Sequence, residues 1–129
     1  MKIVLAFDSF KGSLTAAEAV EAAREGVLQR WPGAEVVALP LGDGGEGTTE
    51  ALCRTLEATW RTCEAHDPLM RPIQARYAVA DHGKTAIMEM AAAAGLTLLH
   101  PDERNPMLTT TYGVGEMLLD AVRNGCRHI

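Results

Sequence analysis

The fold is decided by residues 35–48, which read EVVALPLGDGGEGT. The first five residues form a mostly apolar run that predicts a β-strand. The run Leu41–Thr48 then places four glycines and two acidic residues before a helical pattern that ends near Leu56. Because glycine adopts positive φ and lets the backbone approach a ligand closely, we expect a binding loop between this strand and this helix.

A second strand and loop open the chain. Ile3–Phe7 is a continuously apolar run, which is typical of a buried strand in a parallel sheet. Thr15 and Glu18 then form a capping-box pattern at the start of a helix that should end near Arg30. The order strand, helix, strand predicts a right-handed parallel crossover, so we expect an α/β fold.

The pattern changes in the second half of the chain. Three β-rich runs follow one another, at residues 60–66, 73–80 and 85–90. Strands joined directly by turns predict an antiparallel or mixed sheet. A helix is predicted over residues 113–122, and Asn124-Gly125 provides its stop. The change of pattern predicts a domain boundary near His66.

Composition narrows the class of protein. The chain has 129 residues, 47% hydrophobic content and a net charge of −5, which fit a globular protein and give no support for a nucleic-acid partner. Cys53, Cys63 and Cys126 lack metal-type spacing, so we expect buried thiols in a reducing compartment. Met1 leads directly into a strand and no stretch is long enough to span a membrane, which predicts a cytoplasmic protein without a signal peptide.

The acidic glycine loop allows two interpretations. Asp43 and Glu46 offer the oxygen ligands that Mg²⁺ prefers, acting through water, and they also suit hydrogen bonds from substrate hydroxyls. Alternatively, Asp43 caps a turn and Glu46 lies at a helix start, where the helix dipole favours its charge. The residues alone leave both interpretations open.

Two nucleotide-binding motifs can be compared with the same loop. Gly42, Gly44 and Gly47 formally satisfy G-x-G-x-x-G, but they follow the second strand instead of the first. Glu64 stands at the distance of a ribose partner and is unconvincing in that role. No Gly-Lys-Ser/Thr ends the loop, so a Walker P-loop is excluded and a nicotinamide enzyme is disfavoured.

Three polar residues follow the first predicted strand. In open α/β sheets, ligands bind at the carboxyl ends of the strands. Asp8 can orient or deprotonate an attacking hydroxyl, Ser9 can hydrogen-bond substrate or phosphate, and Lys11 can neutralise a phosphoryl group in transfer. The alternative is loop capping by the first two and a solvated amine for the third. Beside an acidic glycine loop, the three together favour a functional role.

Further candidates lie in the second half. Glu89 stands within the apolar run 87–91, where strand alternation allows it to face a cleft. Arg104, Thr109 and Thr110 can supply contacts to a carboxylate or phosphate, because the planar guanidinium suits a bidentate grip. A polar loop with an ordinary surface arginine is the alternative. The four histidines have no ligand spacing and are predicted to be structural or surface residues.

Four blocks of the sequence resemble the type-I glycerate kinases. They are FDSFKGSL at residues 7–14, GDGGEGT at 42–48, DHGKTAIMEMAAAAGL at 81–96 and RNPMLTTTYGVGE at 104–116. The blocks occur in the order of the family and cover nearly the whole chain. The resemblance implies transfer of the γ-phosphoryl group of ATP, with Mg²⁺, to D-glycerate, giving 2-phosphoglycerate.

The resemblance also implies a domain organisation and a set of site residues. It implies a Rossmann-like parallel-sheet domain over residues 1–66, the start of a mixed-sheet α/β domain over 67–129, and an active site between them. The expected catalytic residues are Asp8, Ser9, Lys11 and Asp43. Asp43 and Glu46 are also expected to bind Mg²⁺. Substrate or phosphate contacts are expected of Gly42, Gly44, Gly45, Glu46, Gly47, Thr48, Glu89, Arg104, Thr109 and Thr110.

Residues 127–129 look like the start of another strand after the helix stop. Type-I glycerate kinases are longer and continue here into an apolar strand. The sequence is therefore expected to be an amino-terminal fragment that is inactive on its own. The alternatives are a non-catalytic remnant and a phosphosugar- or nucleotide-binding regulator on the same scaffold.

Overall fold

The structure, a computed structural model, describes residues 1–10 and 12–129 and divides into two compact units, Met1–Ala51 and Leu52–Ile129. The strands are β1 Lys2–Phe7, β2 Glu35–Pro40, β3 Thr59–His66, β4 Pro72–Ala80 and β5 Thr85–Ile87. The α-helices are α1 Ala16–Arg30, α2 Thr48–Thr55, α3 Ala91–Ala94 and α4 Tyr112–Arg123, with 3₁₀ turns at Asp81–Gly83, Leu96–Leu98 and Pro101–Glu103. The predicted α/β class is confirmed.

The first unit is a β–α–β arrangement. β1 and β2 are parallel neighbours, and α1 packs against both strands. Thr15 and Glu18 form the predicted capping box at the start of α1. Leu5 is buried, whereas Val4, on the opposite face of β1, is 55% exposed. The prediction of a buried strand is therefore confirmed for one face of β1 and wrong for the other.

The second unit contains an antiparallel sheet with the order β3-β4-β5. The turn from β4 to β5 is the predicted hairpin-type turn, and Asp81, His82 and Gly83 all have positive φ there. Because β3 pairs with β4 along its whole length, it belongs to the second unit. The compact units thus divide at residues 51/52, and the assignment of domains to residues 1–66 and 67–129 stays a prediction.

The core of the second unit lies between α4 and the sheet, against β3 and β4. Its buried residues are Cys63, Ala65, Ala75, Tyr77, Ala86, Ala93, Met117, Ala121 and Cys126. The Tyr77 hydroxyl donates to Asp120 Oδ2 at 2.8 Å. Burial, and then this hydrogen bond, raises the pKa of Tyr77 to about 12, so the hydroxyl stays a donor at neutral pH. All three cysteines are buried free thiols, as predicted.

The segment after β5 corrects one sequence prediction. The strand predicted over residues 85–90 ends at Ile87, and Glu89 lies in the loop before α3. Residues 91–94 are four consecutive alanines, and alanine has the highest helix propensity of all residues. The helical turn of α3 starts with the hydrogen bond from Ala92 N–H to the carbonyl of Glu89, at 3.2 Å. The strand alternation used to turn Glu89 toward a cleft is therefore absent.

The end of the described chain returns to the sheet. His128 forms a parallel bridge with Thr85, and Ala86 N–H donates to the carbonyl of His128 at 2.9 Å. This pairing agrees with the extended conformation predicted for residues 127–129. Within the described part of the chain, no helix combines the length and apolar character needed to cross a membrane.

The close approach of α4 to β3 depends on a glycine. A Cβ added at Gly113 would lie 2.9 Å from the carbonyl carbon of His66, whereas one added at Gly115 would meet open space. We expect Gly113→Ala to destabilise the full-length protein by about 1–3 kcal/mol, the usual cost of overpacking. Gly115→Ala, the matched control on the same helix, should be neutral or stabilising by up to about 1 kcal/mol. Denaturant unfolding measures both, and equal effects would contradict this packing.

Candidate active site

Two loops leave the same edge of the parallel sheet in the first unit. Phe7 pairs with Pro40 at the carboxyl ends of β1 and β2, and Leu41 N–H donates to the carbonyl of Phe7 at 2.8 Å. The loop that starts at Asp8 and the acidic glycine loop that starts at Gly42 therefore begin side by side. This is the edge where open α/β sheets bind ligands.

The first loop is held by local hydrogen bonds. Asp8 is half-buried, and its Oδ1 accepts the N–H of Ser9, which is exposed, at 2.7 Å. Phe10 and Leu14 bridge one another with N–H to carbonyl distances of 2.8 and 3.0 Å. Lys11, predicted to be catalytic, lies outside the described residues. The loop thus contains the capping contact that was the alternative interpretation of Asp8, and it also presents Asp8 and Ser9 at the sheet edge.

The acidic glycine loop folds back on the start of α2. Gly44 N–H donates to Thr48 Oγ1 at 3.0 Å, and a Cβ added at Gly42 would lie 2.7 Å from the Cα of Thr48. Gly44 and Gly47 have φ values of +96° and +92°. Because residues other than glycine rarely adopt such positive φ values, the shape of this loop depends on glycine at both positions.

The two acidic side chains of this loop are exposed. Asp43 Oδ1 accepts the N–H of Gly45 at 2.8 Å, which is the turn cap considered as an alternative. A carboxylate has about four lone-pair sites, so this contact leaves Asp43 able to bind a further ligand. Glu46 is also exposed and lies two residues before α2. The turn and a ligand site are therefore compatible at Asp43.

The donor set of this loop fits a magnesium ion that arrives with a phosphate. Among the residues that the structure describes, no three His, Cys, Asp or Glu side chains gather in a group that could hold a metal. Mg²⁺ is usually bound by one or two carboxylates together with waters and substrate phosphates. The exposed pair Asp43 and Glu46 provides that number of carboxylates.

The remaining predicted residues lie in the second unit. Glu89 is half-buried in the loop between β5 and α3. Arg104 Nη2 donates to the carbonyls of Leu96 and Leu99 at 3.2 and 3.5 Å. Arg104 therefore helps to fix its own loop, in addition to any contact with a ligand.

The threonines of the second unit lie at the entry to α4. Thr110 N–H donates to the carbonyl of Pro68 at 3.0 Å, and Thr110 Oγ1 accepts the N–H of Tyr112 at 3.1 Å. Thr109 is half-buried beside it. These contacts fix the backbone of the residues that were predicted to bind an anion.

The turn between β3 and β4 carries charged residues that the sequence analysis did not select. Asp67 is 2% exposed, and its Oδ1 accepts the N–H groups of Leu69 and Arg71 at 2.8 and 2.9 Å. The side chain of Arg71 pairs with Asp67 Oδ2 and with Glu103. Burial alone would raise the pKa of the Asp67 carboxyl, but the hydrogen bonds from Arg71 and Leu69 together outweigh it and lower the pKa.

A histidine–glutamate pair joins the end of β3 to α4. Glu116 accepts the N–H of His66 at 2.9 Å and lies 2.9 and 3.0 Å from its Nδ1. This contact supports the structural role predicted for His66. An open cavity of about 510 Å³ adjoins the pair and is lined by Glu64, Ala65, His66, Pro72, Ile73, Gln74 and Glu116. None of the predicted site residues lines it.

Known proteins place the chain in a family. The sequence model of the glycerate kinase family matches residues 3–129. The chain belongs to the glycerate kinase family. It is 47% identical over 118 residues to the glycerate kinase of Haemophilus influenzae. This match covers 92% of this chain and 31% of that protein. It is 41% identical over all 129 residues to the glycerate 2-kinase of Escherichia coli, 34% of which is covered.

A solved structure agrees with this assignment. This chain is similar to a crystal structure described as a glycerate kinase 2 from Salmonella typhimurium LT2, with a TM-score of 0.76 and 41% identity. The match covers 100% of this chain and 35% of that one. The chain therefore spans about a third of the length of the relatives it matches.

Proposed function

We propose that the full-length protein is a glycerate kinase that transfers the γ-phosphoryl group of ATP to D-glycerate and forms 2-phosphoglycerate. The observation that carries the proposal is the shared edge of β1 and β2. There, the carboxylates of Asp8 and Asp43 follow two adjacent parallel strands in a chain of the glycerate kinase family. Because the chain spans about a third of its relatives, the activity is proposed for a protein of their length.

Phosphoryl transfer asks the protein mainly for positioning and charge neutralisation. We assign to Asp8 the orientation of the attacking hydroxyl and the acceptance of its proton. Ser9, which is exposed beside it, would hydrogen-bond the substrate or the phosphate. Lys11 would neutralise charge on the transferred group. These roles need no covalent intermediate on the protein.

Asp43 and Glu46 are the residues that would hold Mg²⁺, which when bound neutralises charge on the phosphates of ATP. The glycines shape this loop. The N–H groups of Gly44 and Gly45 already donate to Thr48 and Asp43. We therefore propose that these two glycines contribute the shape of the loop more than amide contacts to phosphate. In the second unit, we assign Glu89, Arg104, Thr109 and Thr110 to contacts with substrate or phosphate.

A coupled assay of ADP release from the full-length protein tests this function. We expect D-glycerate to be phosphorylated with MgATP, and NMR of the product to identify 2-phosphoglycerate. Turnover of other sugar acids without any turnover of D-glycerate would contradict the substrate. Binding of ATP or of a phosphosugar without transfer would instead favour a regulator, and no binding at all would favour a remnant.

The proposal also covers the cellular compartment in which the protein acts. The buried free thiols of Cys53, Cys63 and Cys126 fit a reducing compartment. We therefore propose that the protein acts on small molecules in the cytoplasm.

A further inference from the structure

We propose that Arg71 is a positioning residue for the loop Leu98–Thr110, which carries Arg104, Thr109 and Thr110. This inference rests on the proposed function, since it concerns residues assigned there to substrate contacts. It adds a residue of the turn between β3 and β4 that neither the sequence motifs nor the family assignment selects.

Arg71 is the centre of a network that attaches this loop to the sheet. Its Nη1 donates to Glu103 Oε1 at 2.9 Å, and its Nη2 donates to the carbonyl of Leu98 at 3.1 Å. Its Nε donates to Oδ2 of the buried Asp67. The guanidinium therefore holds one carboxylate of the turn, one carboxylate of the loop and one loop carbonyl at the same time.

The loop is fixed at two more points near Arg71. Glu103 Oε2 accepts the N–H of His100 at 2.9 Å, so the carboxylate held by Arg71 also closes the 3₁₀ turn just before Arg104. At the far end, Thr110 N–H donates to the carbonyl of Pro68, in the same turn as Arg71. The turn between β3 and β4 therefore forms hydrogen bonds with the loop both before and after Arg104.

The chemistry of arginine explains why this residue suits the role. The guanidinium is planar, always charged and has five donors in a fixed fork, whereas lysine offers a point charge on a flexible stem. Three separate nitrogens of the fork, Nε, Nη1 and Nη2, donate to Asp67, Glu103 and the Leu98 carbonyl in turn. The Arg71 side chain is 47% exposed, so its replacement leaves no large cavity.

The test compares Arg71→Gln and Arg71→Lys in the full-length protein, with Arg76→Gln as the matched control. Arg76 lies on β4, the strand that follows Arg71, and its guanidinium carbon is 4.3 Å from the ring centroid of Trp60, so it is a nearby arginine outside the Arg71 network. We expect Arg71→Gln to raise KM for D-glycerate about tenfold with a smaller change in kcat, because a displaced contact weakens substrate binding. Arg71→Lys should recover part of the loss, and Arg76→Gln should be unchanged.

Hydrogen exchange provides a readout that does not need kinase activity. Amides of residues 98–110 should exchange faster in Arg71→Gln than in the wild type, while those of β3 and β4 keep their protection. Unchanged exchange in this loop, or a loss of kcat at constant KM, would overturn the positioning role. If the wild type turns over no D-glycerate, the proposed function fails and the exchange result alone decides the role of Arg71. Glu103→Gln, which keeps the side-chain size, replaces Arg71→Gln if that variant does not fold.

Discussion

Asp43→Asn in the full-length protein should lower kcat/KM by about 10²-fold or more, the usual scale for a positioned electrostatic group. The substitution keeps the size of the side chain, and an amide oxygen can still accept the N–H of Gly45, which Asp43 Oδ1 accepts now. The loop should therefore keep its shape while it loses a negative charge. If Asp43 acts through Mg²⁺, the variant should also need more Mg²⁺ for half-maximal rate.

Two measurements separate this effect from simple loss of structure. The rise in melting temperature caused by Mg²⁺ with a non-hydrolysable ATP analogue should shrink in Asp43→Asn, whereas the melting temperature without ligand should not change. Glu25→Gln, an exposed position on α1, is the control and should behave as the wild type in both. Normal kinetics and a normal Mg²⁺ response in Asp43→Asn would show that Asp43 only caps its turn.

The local elements of the fold could be predicted because their signals are local. The capping box of Thr15 and Glu18 defines the start of α1, and left-handed residues at the turn of Asp81–Gly83 join β4 to β5. The parallel pairing of β1 and β2 followed from the order strand, helix, strand. These features depend on neighbours within a few residues or on chain connectivity, which the sequence contains directly.

Two predictions were wrong: the length of the strand at residues 85–90 and the burial of both faces of β1. Both concern segments whose structure is set by competing or distant interactions. The apolar run around Glu89 fitted a strand as well as a turn into a helix, and the alanines at 91–94 decided the outcome. The burial of β1 depends on which face receives α1, so Val4 and Leu5 differ although both are apolar. At Glu89 two local propensities compete within a few residues, whereas the buried face of β1 is set by packing that a short window does not contain.

The candidate site shows the same division. Asp8 and Asp43 could be selected because each follows a predicted strand, and parallel pairing places both strand ends at one edge. Arg71 could not be selected, because its contacts with Leu98 and Glu103 join residues 27 and 32 positions apart. The buried Asp67 beside it carried a local signal, since acidic residues before a proline often begin turns, but that signal indicates a turn and no partner.

Asp8→Asn should also lower kcat/KM by about 10²-fold or more, since a positioned acid–base group typically contributes on this scale. The fall should be confined to kcat, because the hydroxyl of bound glycerate loses its proton acceptor while the Mg²⁺ requirement stays that of the wild type. The amide oxygen of asparagine can keep the contact with Ser9 N–H, so the loop and the melting temperature should be preserved.

The contrast between the two variants is the sharpest test of the proposed site. Titration of Mg²⁺ at saturating ATP and D-glycerate should move the half-maximal concentration in Asp43→Asn and leave it unchanged in Asp8→Asn. A shared shift would mean that both carboxylates serve the metal, and Asp8 would lose its assignment to the substrate hydroxyl. Near wild-type kcat in Asp8→Asn, with an unchanged melting temperature, would reduce Asp8 to the cap of its own loop, which its contact with Ser9 already forms.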